Sequence, residues 1–520
     1  MTFMILKWTR VVVSLSFFLL IGFLFIDFTN TFSAGFTKRI LFFQFVPSII
    51  KFINILGVAA IGFIIILLLT FLFGRVYCSF LCPLGTLQDV IQFVTKRFKK
   101  KKIFRFSKPE NIYRYSFLAI TIIFVLSGSL FLVNLLDPFS GFGKIFSNLF
   151  RPVYYELNNV TAELLRRYQI YTLYPVPIRG YSWASFGYSS FLLGLIIWLV
   201  YRHGRLYCNT VCPVGTLLGL AARYSVFRIK LDEALCNSCG ICGTACKAEC
   251  IDTKNRKVDF SRCIGCLNCL NVCTSSGVVF KPVLPGRKIS LSEPVIPSER
   301  RNFLKNSGLV ATGVMILSSD SFSNGLNNGM IPVIREYPVT PPGSLSIAHF
   351  TNSCTACHLC VSACPTHVIQ PSLFQYGLMG FMQPHMDFMA SYCNFECTLC
   401  SEVCPTGAIL PIDLEEKKLV QLGISIFIKE NCIVHTDEKD CGACSEHCPT
   451  KAVNMVPYKN GLTIPEVTED ICIGCGACEY ACPTTPKSIY VDGNPVHKQA
   501  KEPIMEDIET EGLPVDDFPF

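Results

Sequence analysis

The sequence predicts an α-helical membrane domain of four spans plus an anchor helix, followed by α+β ferredoxin-like iron–sulfur domains. Three observations predict it. Hydrophobic residues make up 51% of the 520 and mean hydropathy is +0.42, high for a chain that lives in water. The apolar residues before residue 202 gather in segments near the about 20 residues that cross a bilayer. Finally, the 29 cysteines fall in Cys-x-x-Cys runs of fixed spacing, the pattern of metal or cluster ligation rather than of a disulfide-stapled secreted fold.

The composition divides the chain into 1–230, a four-span membrane domain; 231–280, a cytoplasmic two-cluster ferredoxin; 281–346, linkers around a signal or anchor at 298–322; 347–500, an exported four-cluster domain; and 501–520, an acidic tail. The expected spans are Thr9 to Phe28, Ile53 to Phe73, Tyr115 to Leu136 and Ser185 to Tyr201. Lys96 to Lys108, with eight lysines and arginines, follows the second span, and Arg202, Arg205, Arg223, Arg228 and Lys230 follow the fourth. Positive charge collects on the inner side, so both ends of this half are expected in the cytoplasm. Arg151, Arg166, Arg167 and Arg179, in the loop placed outside, weaken the contrast. The net charge of +8 is therefore local and calls for no nucleic-acid partner.

This half contains a repeat. Gly74-Arg75-Val76-Tyr77-Cys78-Ser79-Phe80-Leu81-Cys82-Pro83 recurs as Gly204-Arg205-Leu206-Tyr207-Cys208-Asn209-Thr210-Val211-Cys212-Pro213. Duplicated helical hairpins would bring Cys78, Cys82, Cys208 and Cys212 to one pseudo-symmetric site. Four such thiols suit an additional metal or iron–sulfur site, or thiol and disulfide chemistry, and the alternative is two structural turns with inert thiols.

Cys236, Cys239, Cys242 and Cys246 are spaced x2, x2, x3, and Cys263, Cys266, Cys269 and Cys273 repeat the spacing. In two-cluster ferredoxins the fourth cysteine of each run serves the other cluster, which assigns one [4Fe–4S] cluster to Cys236, Cys239, Cys242 and Cys273 and a second to Cys263, Cys266, Cys269 and Cys246. Cys250 is a spare, read as structural.

Ser298 to Ser319 pairs Arg300 with Arg301, then Phe303, Leu304 and Lys305, then a short apolar run, in the manner of a twin-arginine export signal retained as an anchor. The alternative is a buried linker helix. Four further runs follow: Cys354, Cys357, Cys360, Cys364; Cys393, Cys397, Cys400, Cys404; Cys432, Cys441, Cys444, Cys448; and Cys472, Cys475, Cys478, Cys482. The middle two are stretched at the first gap. Sixteen ligands make four clusters and six in the chain, with neighbouring runs preferred as exchange partners over nested ones. Cys354-Thr355-Ala356-Cys357-His358 also fits c-type haem attachment, but that use would strand Cys360 and Cys364. The spans hold no histidine pair for haem b; His203 stands alone.

The first half, with two Cys-x-x-x-Cys-Pro motifs and a two-cluster ferredoxin, resembles the NapH-type membrane ferredoxins, quinol dehydrogenase subunits of periplasmic nitrate reductase systems. The second half, with a twin-arginine motif, Pro341-Pro342-Gly343 and four cysteine runs, resembles their exported NapG/MauM-type partners. The resemblance implies a fusion of the two in a bacterial inner membrane, multi-pass, with the C-terminal cluster domain periplasmic. It implies electron transfer from quinol of the membrane pool through the clusters to a periplasmic cytochrome or reductase. Asp27 and Asp137, at the outer ends of the first and third spans, are the candidates to accept quinol protons, against a reading as interfacial helix-end residues. No Gly-x-Gly-x-x-Gly or P-loop suggests a nucleotide site.

Two other functions fit parts of the chain. One is a cupric-ion reductase or oxidase maturation factor, since the Cys-x-x-x-Cys-Pro motifs also resemble those of membrane ferredoxins of copper delivery. The other is an electron bridge from a cytoplasmic donor outward. The acidic tail, with Glu506, Asp507, Glu509, Glu511, Asp516 and Asp517, reads as a solvated end or as a dock for a basic cytochrome.

Overall fold

The computed structural model describes residues 2–27, 29, 31–55, 61–98, 104–177, 179–232, 234–282 and 331–502. The expected export signal or anchor at 298–322 and the acidic tail beyond residue 502 lie outside the described residues.

A single charge-poor run sets the frame. Helix α1 (Thr2–Ile26) carries only Lys7 and Arg10 as charged residues among its 25, and its aromatic and aliphatic side chains enter the core of the helical half. After it come α2 (Ala34–Leu41), α3 (Phe45–Ile55), α4 (Gly62–Phe73), α5 (Tyr77–Phe80), α6 (Pro83–Phe98), α7 (Asn111–Leu126), α8 (Phe131–Leu136), α9 (Pro138–Ile145), α10 (Arg151–Arg167), α11 (Trp183–His203) and α12 (Pro213–Ala222).

Among the described residues, two helices are long and apolar enough to cross a membrane, Met4–Ile26 within α1 and Trp183–His203, which is α11. The other two expected spans are broken. The segment from Ile53 to Phe73 is shared between α3 and α4, which fold on each other: Phe52 and Phe63 rings lie 5.5 Å apart, and a Cβ on Gly62 would stand 2.0 Å from the Phe42 carbonyl. The segment from Tyr115 to Leu136 is cut by Ser127-Gly128-Ser129, where Gly128 has φ +82°, and α8 begins two residues later. Hydropathy alone does not register such turns, because both flanks are apolar.

The repeat extends beyond the cysteines. Each half has a short helix pair broken just where a tyrosine of the motif reaches it. Tyr77 Oη donates to Gln44 Oε1 at 3.3 Å and accepts from Phe45 N at 3.4 Å, at the α2–α3 break. Tyr207 Oη donates to the Leu136 carbonyl at 2.9 Å, at the α8–α9 break.

Two cysteine-rich units occupy opposite ends of this helical frame. The first pairs strand β1 (Phe227–Leu231) with β4 (Val278–Pro282) around the short hairpin of β2 (Ile251–Asp252) and β3 (Lys257–Val258). It abuts the end of α4, where Val226 N donates to Phe71 O and the rings of Phe73 and Phe227 stack at 5.4 Å. The second unit spans residues 331–502, so that residues 331–346, expected as linker, pack on it with Val339 and Thr340 buried. Its antiparallel pairs are β5 (Ile369–Pro371) with β6 (Pro384–Met386), β7 (Val420–Phe427) with β10 (Ile489–Gln499), and β8 (Val453–Pro457) with β9 (Thr463–Val467). It docks on the far end of α1, where Ser362 Oγ donates to Phe25 O at 2.9 Å. Arg151 Nη1 donates to Val361 O at 2.9 Å and Nη2 meets His367 Nδ1 at 2.8 Å. Asn54, at the end of α3, donates to Thr406 O at 3.1 Å.

Candidate iron–sulfur centres

A cluster-binding loop has to turn its backbone around a compact inorganic body, and the loops here do so in the same way. In the four unstretched runs the residues on both sides of the second cysteine are left-handed: Ser238 and Gly240, Gly265 and Leu267, Ala356 and His358, Gly474 and Gly476, with φ between 51° and 85°. Three of the four runs place a side chain at such a position, although a left-handed non-glycine residue costs on the order of 1–3 kcal/mol. Backbone amides then point at sulfur. Ala356 N lies 3.4 Å from Cys354 Sγ, Ile409 N 3.4 Å from Cys404 Sγ and Ala452 N 3.2 Å from Cys448 Sγ, the contacts that stabilise thiolate ligands.

The thiols that act most strongly on one another fall into groups of four, with weaker coupling across neighbouring groups, as between Cys242 and Cys269 or Cys400 and Cys360. Burial raises the Cys242 thiol, and the thiols that raise it further are those of Cys273, Cys236 and Cys239. Burial pushes Cys269 well up, as do Cys266, Cys263 and Cys246. In the second unit burial and then Cys354, Cys357 and Cys404 raise Cys360, while burial and then Cys393, Cys364 and Cys397 raise Cys400. Cys444 is pushed up to about 12 by burial, Cys441 and Cys482, and Cys432 has the same two neighbours. Cys478 is raised by burial and by Cys475, Cys472 and Cys448. In each pair of neighbouring runs the fourth cysteine thus stands beside thiols of the other run. Among the described residues no three of His, Cys, Asp or Glu crowd around a point that would hold a single ion. The donor sets, four neighbouring thiols each with backbone amides on several of the sulfurs, fit an iron–sulfur cluster.

The four motif cysteines also meet, at mid-height of α1, where Ser14 Oγ and Thr86 Oγ1 are 2.7 Å apart. Cys82 and Cys212 precede Pro83 and Pro213 at the starts of α6 and α12, and each Sγ accepts from an amide of the first turn, Gly85 N at 3.4 Å and Gly215 N at 3.3 Å. Proline at the first helical position and a thiol at the N-cap is a favourable helix start, and it places sulfur at the positive end of the helix. The two arginines of the repeat cross over. Arg75 Nη2 donates to Cys208 O at 2.8 Å, and Arg205 Nη1 donates to Cys78 O at 3.1 Å, each lying 3.7 and 3.9 Å from the Sγ of its own repeat, Cys78 and Cys208. Both arginines are fully buried. The glycines must be glycine, because a Cβ at Gly85 or Gly215 would come within 2.4 and 2.1 Å of the Cys78 and Cys208 carbonyls. Asp89 neutralises one side, with Oδ1 2.9 Å from Arg205 and 3.0 Å from Lys247 and Oδ2 3.4 Å from Arg10.

These centres form a spatial succession. The Cys236 set adjoins the Cys263 set within the first unit. That unit touches the motif site through Asn209 Nδ2 to Ala248 O at 3.3 Å, Arg205 N to Lys247 O at 3.1 Å and Arg75 Nη1 to Ser261 O at 3.3 Å. On the other side Tyr207 reaches Leu136, and the α8–α9 turn meets the Cys354 loop: the Asn134 side-chain amide, turned so that its nitrogen donates, lies 3.0 Å from Cys354 O, and a Cβ on Gly143 would stand 2.2 Å from Cys357 O. Beyond the Cys354 and Cys393 sets, Cys393 N donates to Cys475 O at 2.9 Å, so the Cys472 set comes next and the Cys432 set last. Order in space departs from order in sequence at that final step.

The remaining expected residues are placed as follows. Asp27 is buried and both its oxygens are engaged, by Thr29 N, Thr29 Oγ1 and Thr31 N, as a loop cap. Asp137 caps α9 through Ser140 N and Oγ at 2.8 Å, and its Oδ1 is buried without a partner. His358, in the Cys-x-x-Cys-His stretch, is buried with Nε2 2.8 Å from the Met382 carbonyl and Nδ1 facing Ser147 and Asn148. Cys250, read as a spare, lies 3.5 Å from Cys246 Sγ and lowers that thiol to about 7. Sequence reasoning gave no role to Arg75 or Lys144 and read Arg205 only as part of the positive charge after the fourth span. The two arginines stood inside the repeat, two and three residues from its tyrosine and cysteine, and their duplication was the available signal.

Comparison with known proteins agrees with this geometry. A family profile described as a 4Fe-4S binding domain matches twice, at residues 55–102 and 183–232, over the two motif repeats. Profiles described as 4Fe-4S dicluster domains match 353–409, 439–485 and 259–368. The first of these covers two neighbouring runs and the second all but Cys432 of two more, whereas the third joins runs that the structure holds at opposite ends of α1. An uncharacterized protein of Methanocaldococcus jannaschii is 28% identical over 222 residues, 42% of this chain and 68% of its own length. The ferredoxin-type protein NapG of Haemophilus influenzae is 28% identical over 209 residues, 36% of this chain and 69% of its own. The methylamine utilization ferredoxin-type protein MauM of Methylophilus methylotrophus is 28% identical over 142 residues, 26% of this chain and 62% of its own. No solved structure matches. The chain is a ferredoxin-like iron–sulfur protein of electron transfer, with several 4Fe-4S domains, related to the Nap and Mau ferredoxin-type proteins.

Proposed function

We propose that this protein carries electrons from membrane quinol to a redox partner on the far side of the membrane, as a fusion of a NapH-like membrane ferredoxin with a NapG/MauM-like exported one. The observation that carries the reading is the succession of cysteine sets through the helical frame, with the motif thiols halfway and one ferredoxin unit at each end. In this reading six [4Fe–4S] clusters occupy the six sets, and the motif thiols hold a further redox centre that joins them. Clusters take single electrons, so their chemistry divides the pair that quinol releases. The first unit faces the cytoplasm and the second the periplasm, carried there by the twin-arginine segment; α3–α4 and α7–α8 complete the crossing without being full spans.

A cavity of about 490 Å³ supports quinol as the donor. Its wall is apolar and includes Val13, Ile66, Tyr77, Phe260, Gly265 and Leu267. That size suits a small ligand, and the wall belongs on one side to the Cys263 loop and on the other to the motif. Of the two aspartates, Asp137 is retained as proton acceptor. Its Oδ1 is free, and its charge acts on Tyr77, in the cavity wall.

The test is anaerobic. Purified in mild detergent, the protein is mixed with menaquinol and its iron–sulfur absorbance followed. Bleaching on the timescale of turnover supports the reading; bleaching by dithionite with none by quinol overturns it. Orientation is tested by adding protease to spheroplasts, where protection of the 347–500 region would defeat the periplasmic assignment. One observation favours a second reading, entry from a soluble cytoplasmic donor: Cys239 is exposed and Cys236 and Cys273 are half-buried, leaving that set open to a partner.

A further inference from the structure

Lys144 is fully buried in α9, and the electron relay as described so far does not use it. Its Nζ donates to the Asn134 carbonyl at 2.5 Å and lies 5.6 Å from the centre of the Tyr188 ring. Among the described residues no carboxylate comes within ion-pair distance of it; the opposite charges that act on it are Asp137, Cys354 and Cys357. An ammonium taken out of water costs several kcal/mol unless a counter-charge repays it. Asp137 repays part, although its Oδ2 is committed to Ser140.

The larger anion is the one the neighbouring loop would hold. α9 presses on the Cys354–Cys360 loop at Gly143, Asn134 binds that loop at Cys354 O, and His358 closes it against Ser147. The loop therefore cannot move away from Lys144 without breaking three contacts. A cluster on four thiolates is negatively charged, and reduction adds one more negative charge. A fixed cation in a low-dielectric surrounding favours the reduced form and raises the potential, as net charge and burial do in iron–sulfur proteins generally.

We infer that Lys144 is a positioning residue for electron transfer: a buried counter-charge that raises the reduction potential of the cluster held by Cys354, Cys357, Cys360 and Cys404. That cluster is the first of the second unit that an electron leaving the helical frame meets, and a raised potential draws electrons out of the frame. The inference rests on the reading that these four cysteines hold a cluster.

The experiment is a potentiometric titration of the full-length protein followed by EPR, with iron content measured on the same samples. The cluster's signal is assigned by its change in Cys360→Ser. In Lys144→Met that cluster is expected to become at least about tenfold harder to reduce, a downward shift of about 59 mV for one electron, with the other signals unmoved and iron content unchanged. Lys144→Arg is expected to stay near wild type, and Asp137→Asn, which removes the partly compensating anion, to shift the same signal upward. Opposite shifts in the two variants are not produced by a merely structural role. A full complement of iron with the Cys360-dependent signal unmoved in both Lys144→Met and Asp137→Asn overturns the inference. No iron or signal dependent on Cys360 would instead overturn the assignment of a cluster to this loop.

Discussion

Arg75 and Arg205 occupy equivalent places in the two repeats, and each holds the cysteine carbonyl of the other. A buried guanidinium is tolerated when partners offset its desolvation, and here they are the crossed carbonyls, the sulfurs, Asn209 for Arg75 and Asp89 for Arg205, while Arg75 Nε is left without one. At the same scale Cys250 donates toward a ligand sulfur, and hydrogen bonds to sulfur raise cluster potentials. Cys250→Ala is expected to lower the midpoint of the Cys263-set cluster, and Cys250→Ser to recover part of the shift, in an EPR titration; an unmoved midpoint would return Cys250 to the role of filler. His497 offers a pH test in the second unit. Its ring is held at about 4, below the ordinary 6.5, by burial, and its Nδ1 is buried without a partner while Nε2 meets Thr340 Oγ1 at 2.8 Å. The fold thus favours neutral imidazole, so its contribution is complete above pH 6.5 and declines as pH falls toward 4. The loss amounts to about 3 kcal/mol at most. Thermal unfolding of wild type and His497→Gln between pH 7 and 5 should converge as pH falls; parallel curves would remove His497 from the account.

At the scale of elements, the broken helices matter more than the long ones. α8 and α9 turn back at Asp137 so that one face of α9 lies on the Cys354 loop, and Gly143 allows the approach. Gly143→Ala is expected to force the loop away and to reduce iron retained by the second unit, measured against Gly187→Ala, where a Cβ meets nothing within 4 Å. Equal iron in both would show the contact to be slack. Asp89, on α6, ties α1, the second motif and the first unit through Arg10, Arg205 and Lys247. Asp89→Asn leaves a buried Arg205 uncompensated and is expected to cost about 3 kcal/mol, read as a lower midpoint of thermal inactivation.

The cysteine sets and the meeting of the two motifs were legible in the sequence, because ligand spacing and duplication are local patterns that a fold must honour. Spacing implied an exchange of fourth cysteines in the first unit and left only a preference in the second, since the stretched gaps of Cys393 to Cys397 and Cys432 to Cys441 leave the spacing silent on pairing. Hydropathy read the second and third spans each as one continuous segment. Two apolar helices in succession average to nearly the same hydropathy as one, and what shows α3 apart from α4, or α7 from α8, is where each finds a packing partner. Lys144 was illegible for a related reason: a lone lysine in Gly-Phe-Gly-Lys-Ile-Phe acquires meaning only when α9 is laid against a loop more than 200 residues away.

For the whole molecule, the question is whether the motif thiols are a link or a bystander. Each ferredoxin unit touches the helical frame but they stand at opposite ends of α1, one beside Phe71 and the other beside Phe25, and the four thiols lie between them at the height of Ser14. If electrons pass from one unit to the other, this is the place where a carrier shortens the distance. Cys208→Ser alters one of the four thiols while leaving the Cys208 carbonyl for Arg75, so the frame is retained. In proteoliposomes reduced beforehand, an impermeant oxidant such as ferricyanide added outside should reoxidise the clusters of both units rapidly in the wild type. In Cys208→Ser it should reoxidise only the unit that faces it, the other following more slowly by orders of magnitude. Equal rates for both units in the variant would take the motif thiols off the path and leave them as structural turns.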